Sequence, residues 1–122
     1  MILVDTSVWI DHLRAGDAEL AALLNGSQVL MHPFVLGELA CGNLDNRVEV
    51  LALLKNLPQA VLANDEEVLF FIERHALMGR GIGYVDAHLL ATVTLGGVTK
   101  IWTRDKRLRA VADALALAYG KD

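Results

Sequence analysis

Cysteine is nearly missing from this chain: Cys41 stands alone among 122 residues. One thiol cannot close an intrachain disulfide or build a cysteine zinc site, and the four histidines show no zinc-ligand spacing that would replace it. Between Ala40 and Gly42, Cys41 reads as a small core residue. Long hydrophobic runs are also missing. The chain is 54% apolar, yet no stretch approaches the roughly 18 uninterrupted apolar residues of a membrane helix. The N-terminus has no basic segment of the kind that opens a signal peptide and meets Asp5 almost at once. The expectation is a soluble cytoplasmic protein. Nor is there an excess of positive charge: the net charge of −4 argues against a generic nucleic-acid binder.

The distribution of charge is more informative than its sum. Residues 1–96 hold five Lys/Arg against twelve Asp/Glu, whereas residues 97–122 hold six against three. A basic C-terminal quarter on an acidic body suggests one local surface for an anion. The length fits a single domain, 1–122, with a real hydrophobic core. No internal repeat, linker or low-complexity segment interrupts it.

Ile2-Leu3-Val4 is apolar without alternation, as in a strand buried on both faces of a sheet, and it stops at Asp5-Thr6-Ser7. Short strands are likewise expected at Gln28–Met31, Ala60–Leu62 and Val98–Trp102. Between them lie helices over Ser7–Leu13 (capped by Thr6 or Ser7), Ala18–Leu24 (capped by Asp17), Pro33 to about Cys41, Asn46–Leu57, a long helix from the Asn64/Glu67 capping box to about Met78, Tyr84–Leu95, and Lys106–Leu115. Ala116–Tyr119 either extends the last helix or adds an edge strand. The alternation predicts an α/β protein, a Rossmann-like α/β/α sandwich around a central, mostly parallel sheet of four to five strands.

Most acids fall at helix starts, in loops or on polar helix faces. Four invite a functional reading. Asp5 follows a buried strand, as a turn former or as a site residue. Glu38 sits among Phe34, Val35, Leu36, Leu39 and Ala40, so a buried carboxylate in need of a counter-ion is expected there. Asp86 lies in the first turn of its helix and shares the face of Leu89, Leu90 and Val93. Asp105 follows another buried strand and either caps the last helix or joins the site. In a parallel sheet the strand ends share one edge, where ligands bind. Three or four carboxylates gathered there repel one another unless a divalent cation neutralises them. Oxygen-only ligands select Mg²⁺ or Mn²⁺ and point to metal-assisted phosphodiester hydrolysis. Lys106, Arg107 and Arg109 crowd the start of the last helix against its dipole, just after Arg104, and Arg80 sits between two glycines; Arg80, Arg104, Lys106 and Arg107 are candidates for substrate phosphate. None of the histidines is needed for this chemistry.

Four motifs carry a resemblance that covers essentially the whole chain. They are Val4-Asp5-Thr6-Ser7-Val8-Trp9-Ile10, Gly37-Glu38-Leu39, Tyr84-Val85-Asp86-Ala87 and Thr103-Arg104-Asp105-Lys106-Arg107-Leu108. In this order the sequence resembles a PIN-domain ribonuclease, specifically the VapC-type toxin of a bacterial toxin–antitoxin pair. The resemblance implies a metal-dependent endoribonuclease with catalytic and metal-binding acids at Asp5, Glu38, Asp86 and Asp105 and supporting hydroxyls at Thr6 or Ser7 and Thr103. It also implies a homodimer and inhibition by a VapB-type antitoxin. Two other readings compete: a PIN-like module that binds RNA or protein without cutting, and an aspartyl-phosphate enzyme. The latter lacks its second acid, because Ser7 stands two positions after Asp5.

Overall fold

The computed structural model describes residues 1–97 and 99–120. Three short parallel strands form the sheet, β1 (Ile2–Val4), β2 (Val29–Leu30) and β3 (Lys100–Trp102), in the order β2-β1-β3. Leu3 pairs with Leu30 on one side and Ile101 on the other. Successive strand residues point to opposite faces, and Ile2, Leu3 and Val4 are all buried. Both faces of β1 are therefore covered, which explains why its apolar run does not alternate.

Seven helices supply the cover: α1 (Thr6–Ala15), α2 (Ala18–Asn25), α3 (Pro33–Ala40), α4 (Arg47–Lys55), α5 (Asp65–Arg74), α6 (Tyr84–Leu95) and α7 (Lys106–Ala114). α5 packs on α6, α1 on α3, α3 on α4, and α6 against β3. The interior of α6 is buried from Ala87 to Val93, so this helix is apolar nearly all round and lies at the centre of the molecule. No helix among the described residues is long and apolar enough to cross a membrane.

The sheet is smaller than the four to five strands expected. Ala60–Leu62 is not a strand: only Gln59 bridges to Met31, and Val61 and Leu62 are 66% and 52% exposed. Ala60 is buried beside that bridge, but with Val61 and Leu62 in solvent nothing carries the pairing further. Ala116–Tyr119 likewise contributes a single parallel bridge, Ile101 to Ala118. Three strands with one bridge on each flank give five lanes, of which only the inner three extend. Val98, the expected start of the last strand, lies outside the described residues.

Other boundaries shift for local reasons. α1 begins at Thr6, so its cap is Asp5 rather than Thr6 or Ser7. α5 ends at Arg74 and not near Met78, because Ala76 takes a left-handed conformation (φ 51°) that a helix cannot continue through. Cys41 is exposed at the C-cap of α3, not a core residue.

Candidate active site

Where β1 ends, Asp5 is 7% exposed and its carboxylate is the acceptor for three donors. Ser7 Oγ and Thr103 Oγ1 each donate to Oδ2 at 2.8 Å, and the Ser7 N–H reaches the same oxygen at 3.4 Å. Both hydroxyl protons point at Asp5, which leaves each hydroxyl oxygen free to accept. Ser7 Oγ takes the Arg104 N–H at 2.9 Å and Thr103 Oγ1 takes the Asp105 N–H at 3.1 Å. The exits of β1 and β3 are thus tied together through one buried carboxylate.

The other three acids are each held by one oxygen. Asp105 caps α7, Oδ1 accepting from the Leu108 N–H at 2.9 Å. Asp86 Oδ2 accepts from the Gly83 N–H at 3.2 Å and closes the first turn of α6. Glu38 Oε1 accepts from Thr6 Oγ1 at 2.7 Å, across from α3 to α1. Glu38 is exposed, however. The burial expected from its apolar neighbours fails because Phe34 and the Gly37 backbone beside it are themselves exposed. Among the described residues, the second oxygen of all four carboxylates takes no hydrogen bond from the protein.

Electrostatics links the four. The Asp86 carboxyl is raised above the usual range, first by burial and then by the negative charges of Asp5, Asp105 and Glu38, against the lowering hydrogen bond from Gly83. No cation of the protein is among the groups acting on it. The residues fit a hard divalent ion: oxygen donors only, mutually repelling, each with one oxygen fixed by the scaffold and one free, as carboxylate ligands commonly are. They do not form a closed cage, since no three His, Cys, Asp or Glu among the described residues are gathered tightly enough to hold an ion by themselves. Mg²⁺ and Mn²⁺ sites that retain water use only one or two carboxylates directly.

The raised Asp86 carboxyl yields a prediction. Its folded pKa lies above its unfolded value, so stability is lost as pH rises through the folded pKa towards neutrality. Asp86→Asn keeps an acceptor for the Gly83 N–H and removes the repelling charge. In chelator at pH 7.5 its melting temperature should exceed that of wild type by about 4 °C, with the gap closing in acid. Equal melting at pH 7.5 would contradict the shared negative site.

The basic residues divide. Arg80, Lys106 and Arg107 are exposed and make no salt bridge among the described residues. Arg107 lies across Gly81, where a Cβ would sit 2.7 Å from its Cδ; with φ at +82°, position 81 is doubly suited to glycine. Arg104 is different. Its guanidinium reaches Asp11 at 2.6 Å and Asp17 at 2.5 Å and lies 5.5 Å from the Trp102 ring, tying β3 to α1 and α2. Without substrate, the charge expected to meet a phosphate is met by these two carboxylates.

Two histidines have roles that sequence reasoning missed. His32 caps α3, its Nδ1 accepting from the Phe34 N–H at 3.0 Å. His88 Nε2 lies 3.0 Å from Asp65 Oδ1, to which the Tyr84 hydroxyl also donates at 2.7 Å. The i, i+4 spacing of Tyr84 and His88 put them on one helix face, but no local pattern named Asp65 as their partner.

Comparison with known proteins places the chain in a family. The model of the PIN domain family matches residues 2–114. Ribonuclease VapC32 of Mycobacterium tuberculosis is 49% identical over 122 residues, spanning 100% of this chain and 98% of the relative, in both strain CDC 1551 / Oshkosh and strain ATCC 25618 / H37Rv. Among solved structures, FitAcB from Neisseria gonorrhoeae superposes with a TM-score of 0.61 at 21% identity, covering 93% of this chain and 94% of that one. FitAB bound to the IR36 DNA fragment gives 0.60 at 21% identity, covering 93% and 91%. Those two carry the fold alone; the full-length relative and the family match carry the kinship. The chain belongs to the PIN-domain family, among the VapC ribonucleases.

Proposed function

We propose that this protein is a Mg²⁺- or Mn²⁺-dependent endoribonuclease that hydrolyses RNA phosphodiester bonds, acting as the toxin of a toxin–antitoxin pair. The observation that carries the reading is the set of four carboxylates, each anchored through one oxygen and open at the other, on the rim where β1 and β3 end. Asp5, with Asp86 and Asp105, would hold the metal, and Glu38 assists directly or by orienting the attacking water. When bound, the ion supplies charge neutralisation at the phosphate and acidifies water. Ser7 and Thr103 fix the Asp5 carboxylate by donating to it, and Thr6 does the same for Glu38. Exposed and hydrogen-bonded on one side, Glu38 has its second oxygen available to accept a proton from water. Arg80, Lys106 and Arg107 receive the RNA backbone.

Water is the nucleophile and the ribose 3′ oxygen is the leaving group, so the products carry a 5′-phosphate and a 3′-hydroxyl. Single-stranded RNA incubated with the purified chain and Mn²⁺ should be cut, and chelation should stop the reaction. Intact RNA at high protein concentration would overturn the enzyme in favour of a binding module, and 2′,3′-cyclic phosphate ends would overturn water attack. A VapB-type antitoxin is the proposed inhibitor. Glu38 lines a cavity of about 360 Å³ whose walls include Ile10, Leu13, Leu39 and Val50 together with Arg14 and Asp45, a groove that reaches one of the four acids and suits an apolar segment bearing one cation. A homodimer is proposed on kinship, with exposed Leu69 and Phe70 among the apolar side chains available to a second copy.

A further inference from the structure

Phe34 and Tyr84 are two of only seven Phe, Trp and Tyr residues, and folding leaves them 39% and 45% exposed. Neither ring is loose. His88 packs against both, with centroids 4.8 Å from Phe34 and 4.7 Å from Tyr84, each edge-on. His32 meets Phe34 edge-on at 5.1 Å. The Tyr84 hydroxyl and His88 Nε2 share Asp65 Oδ1 at 2.7 and 3.0 Å. The two histidines behind the rings are buried. Two flat surfaces are thus locked in place while more than a third of each remains open.

Their position relates them to the acids. Phe34 precedes Glu38 by four residues in α3, so the two share a helix face about one turn apart. Tyr84 opens α6 two residues before Asp86, on the other side of that turn, and is joined to Phe34 through His88. Arg80, exposed and without a salt bridge among the described residues, lies four residues before Tyr84 in the chain. Rigid aromatic surface beside basic side chains is the combination by which proteins bind single-stranded nucleic acid: cations track the backbone and rings stack on unpaired bases, whatever the base.

We propose that Phe34 and Tyr84 form a stacking platform for an unpaired RNA base next to the bond that is cut. The proposal rests on the ribonuclease reading and adds the element that grips the substrate strand. Stacking of one base on an aromatic side chain changes affinity by roughly 5- to 150-fold.

The test compares wild type with Phe34→Leu and Tyr84→Leu, and with the ring-retaining Phe34→Trp and Tyr84→Phe, on a short single-stranded oligoribonucleotide in Mn²⁺. Each leucine variant should raise KM about 10- to 100-fold with kcat within about threefold, while each ring-retaining variant stays within about threefold in both. In an Asp5→Asn background, an oligoribonucleotide carrying 2-aminopurine should lose fluorescence on binding, and adding either leucine substitution should abolish that quenching. Unchanged KM in both leucine variants overturns the platform. So does a loss confined to kcat, which would make the rings mere supports of the acids, or an unchanged KM with an altered oligomeric state, which would make them a protein interface. If wild type cuts no RNA, the ribonuclease reading fails, and the 2-aminopurine experiment still decides the platform by itself.

Discussion

Asp5→Asn should lower RNA cleavage by roughly 10³-fold or more while leaving the chain folded. The substitution separates two roles that one carboxylate holds. As the cap of α1 and acceptor for Ser7 and Thr103, Asp5 needs only an oxygen, and asparagine supplies one; as caps the two residues are about equal. As a metal ligand and source of negative charge, Asp5 has no substitute in a neutral amide. Removing its charge also relieves Asp86 of one of the three carboxylates that raise its pKa. Melting in chelator should therefore be unchanged or slightly higher, whereas the stabilisation wild type gains from Mn²⁺ should largely vanish. Asp5→Ala should lose activity equally but also cost about 1–2 kcal/mol of stability, because the cap, the buried Thr103 hydroxyl and the half-buried Ser7 hydroxyl lose their acceptor. Cleavage by Asp5→Asn within tenfold of wild type, or an undiminished Mn²⁺ shift, would remove Asp5 from the centre of the site.

The second large effect is acid lability centred on His32. This ring is buried, its Nδ1 accepts the Phe34 N–H, and its Nε2 has no partner. Burial, and then the nearby His88, lowers its pKa from 6.5 to about 4. The unfolded chain binds a proton at His32 below about 6.5 and the folded chain does so only near 4. Stability is thus intact above the unfolded value and is lost as pH falls through this window, by on the order of 3 kcal/mol in all. Protonation would also cost α3 its cap, because Nδ1 could no longer accept, and α3 carries Glu38. Asp86 acts in the opposite sense, its raised carboxyl favouring the folded state in acid, so the net slope is smaller than that of His32 alone. Urea unfolding of wild type between pH 8 and 4 should show the loss. His32→Asn, which keeps an acceptor for the cap but cannot titrate, should flatten it. An identical pH slope in both proteins would show that the acid sensitivity lies elsewhere.

How far the sequence foretold this molecule depends on the range of the forces involved. Strands buried on both faces, capping residues and a polar stop at a strand end are local signals, and they placed β1, α2, α6 and the Asn64–Glu67 capping box well. Asp5 and Asp105 are each readable as a turn or cap residue or as a site residue; both cap helices here, and a capping carboxylate uses one oxygen and leaves the other for the proposed metal. Glu38 was misjudged for a physical reason, since apolar sequence neighbours on a helix point in different directions and do not enclose the side chain between them. The ion pairs of Arg104 were not legible because its partners Asp11 and Asp17 are distant in sequence and meet it only when α1 and α2 fold back beside β3. Asp65, Tyr84 and His88 were invisible for the same reason. Ala60–Leu62 had the composition of a strand, but its pairing beside β2 ends at the single Met31–Gln59 bridge, and composition does not supply a register.

Gln59 beside β2 and Ala118 beside β3 close the sheet with one bridge apiece. Beyond that single bridge the register stops on either flank, so a foreign strand finds one paired residue and no continuing ladder to extend. Self-association by edge-to-edge growth, the usual route from a small parallel sheet to an insoluble deposit, has little to start from. Any peptide that captures this protein must grip it through side chains, as a helix in a groove or an extended segment across it, and not by lengthening the sheet.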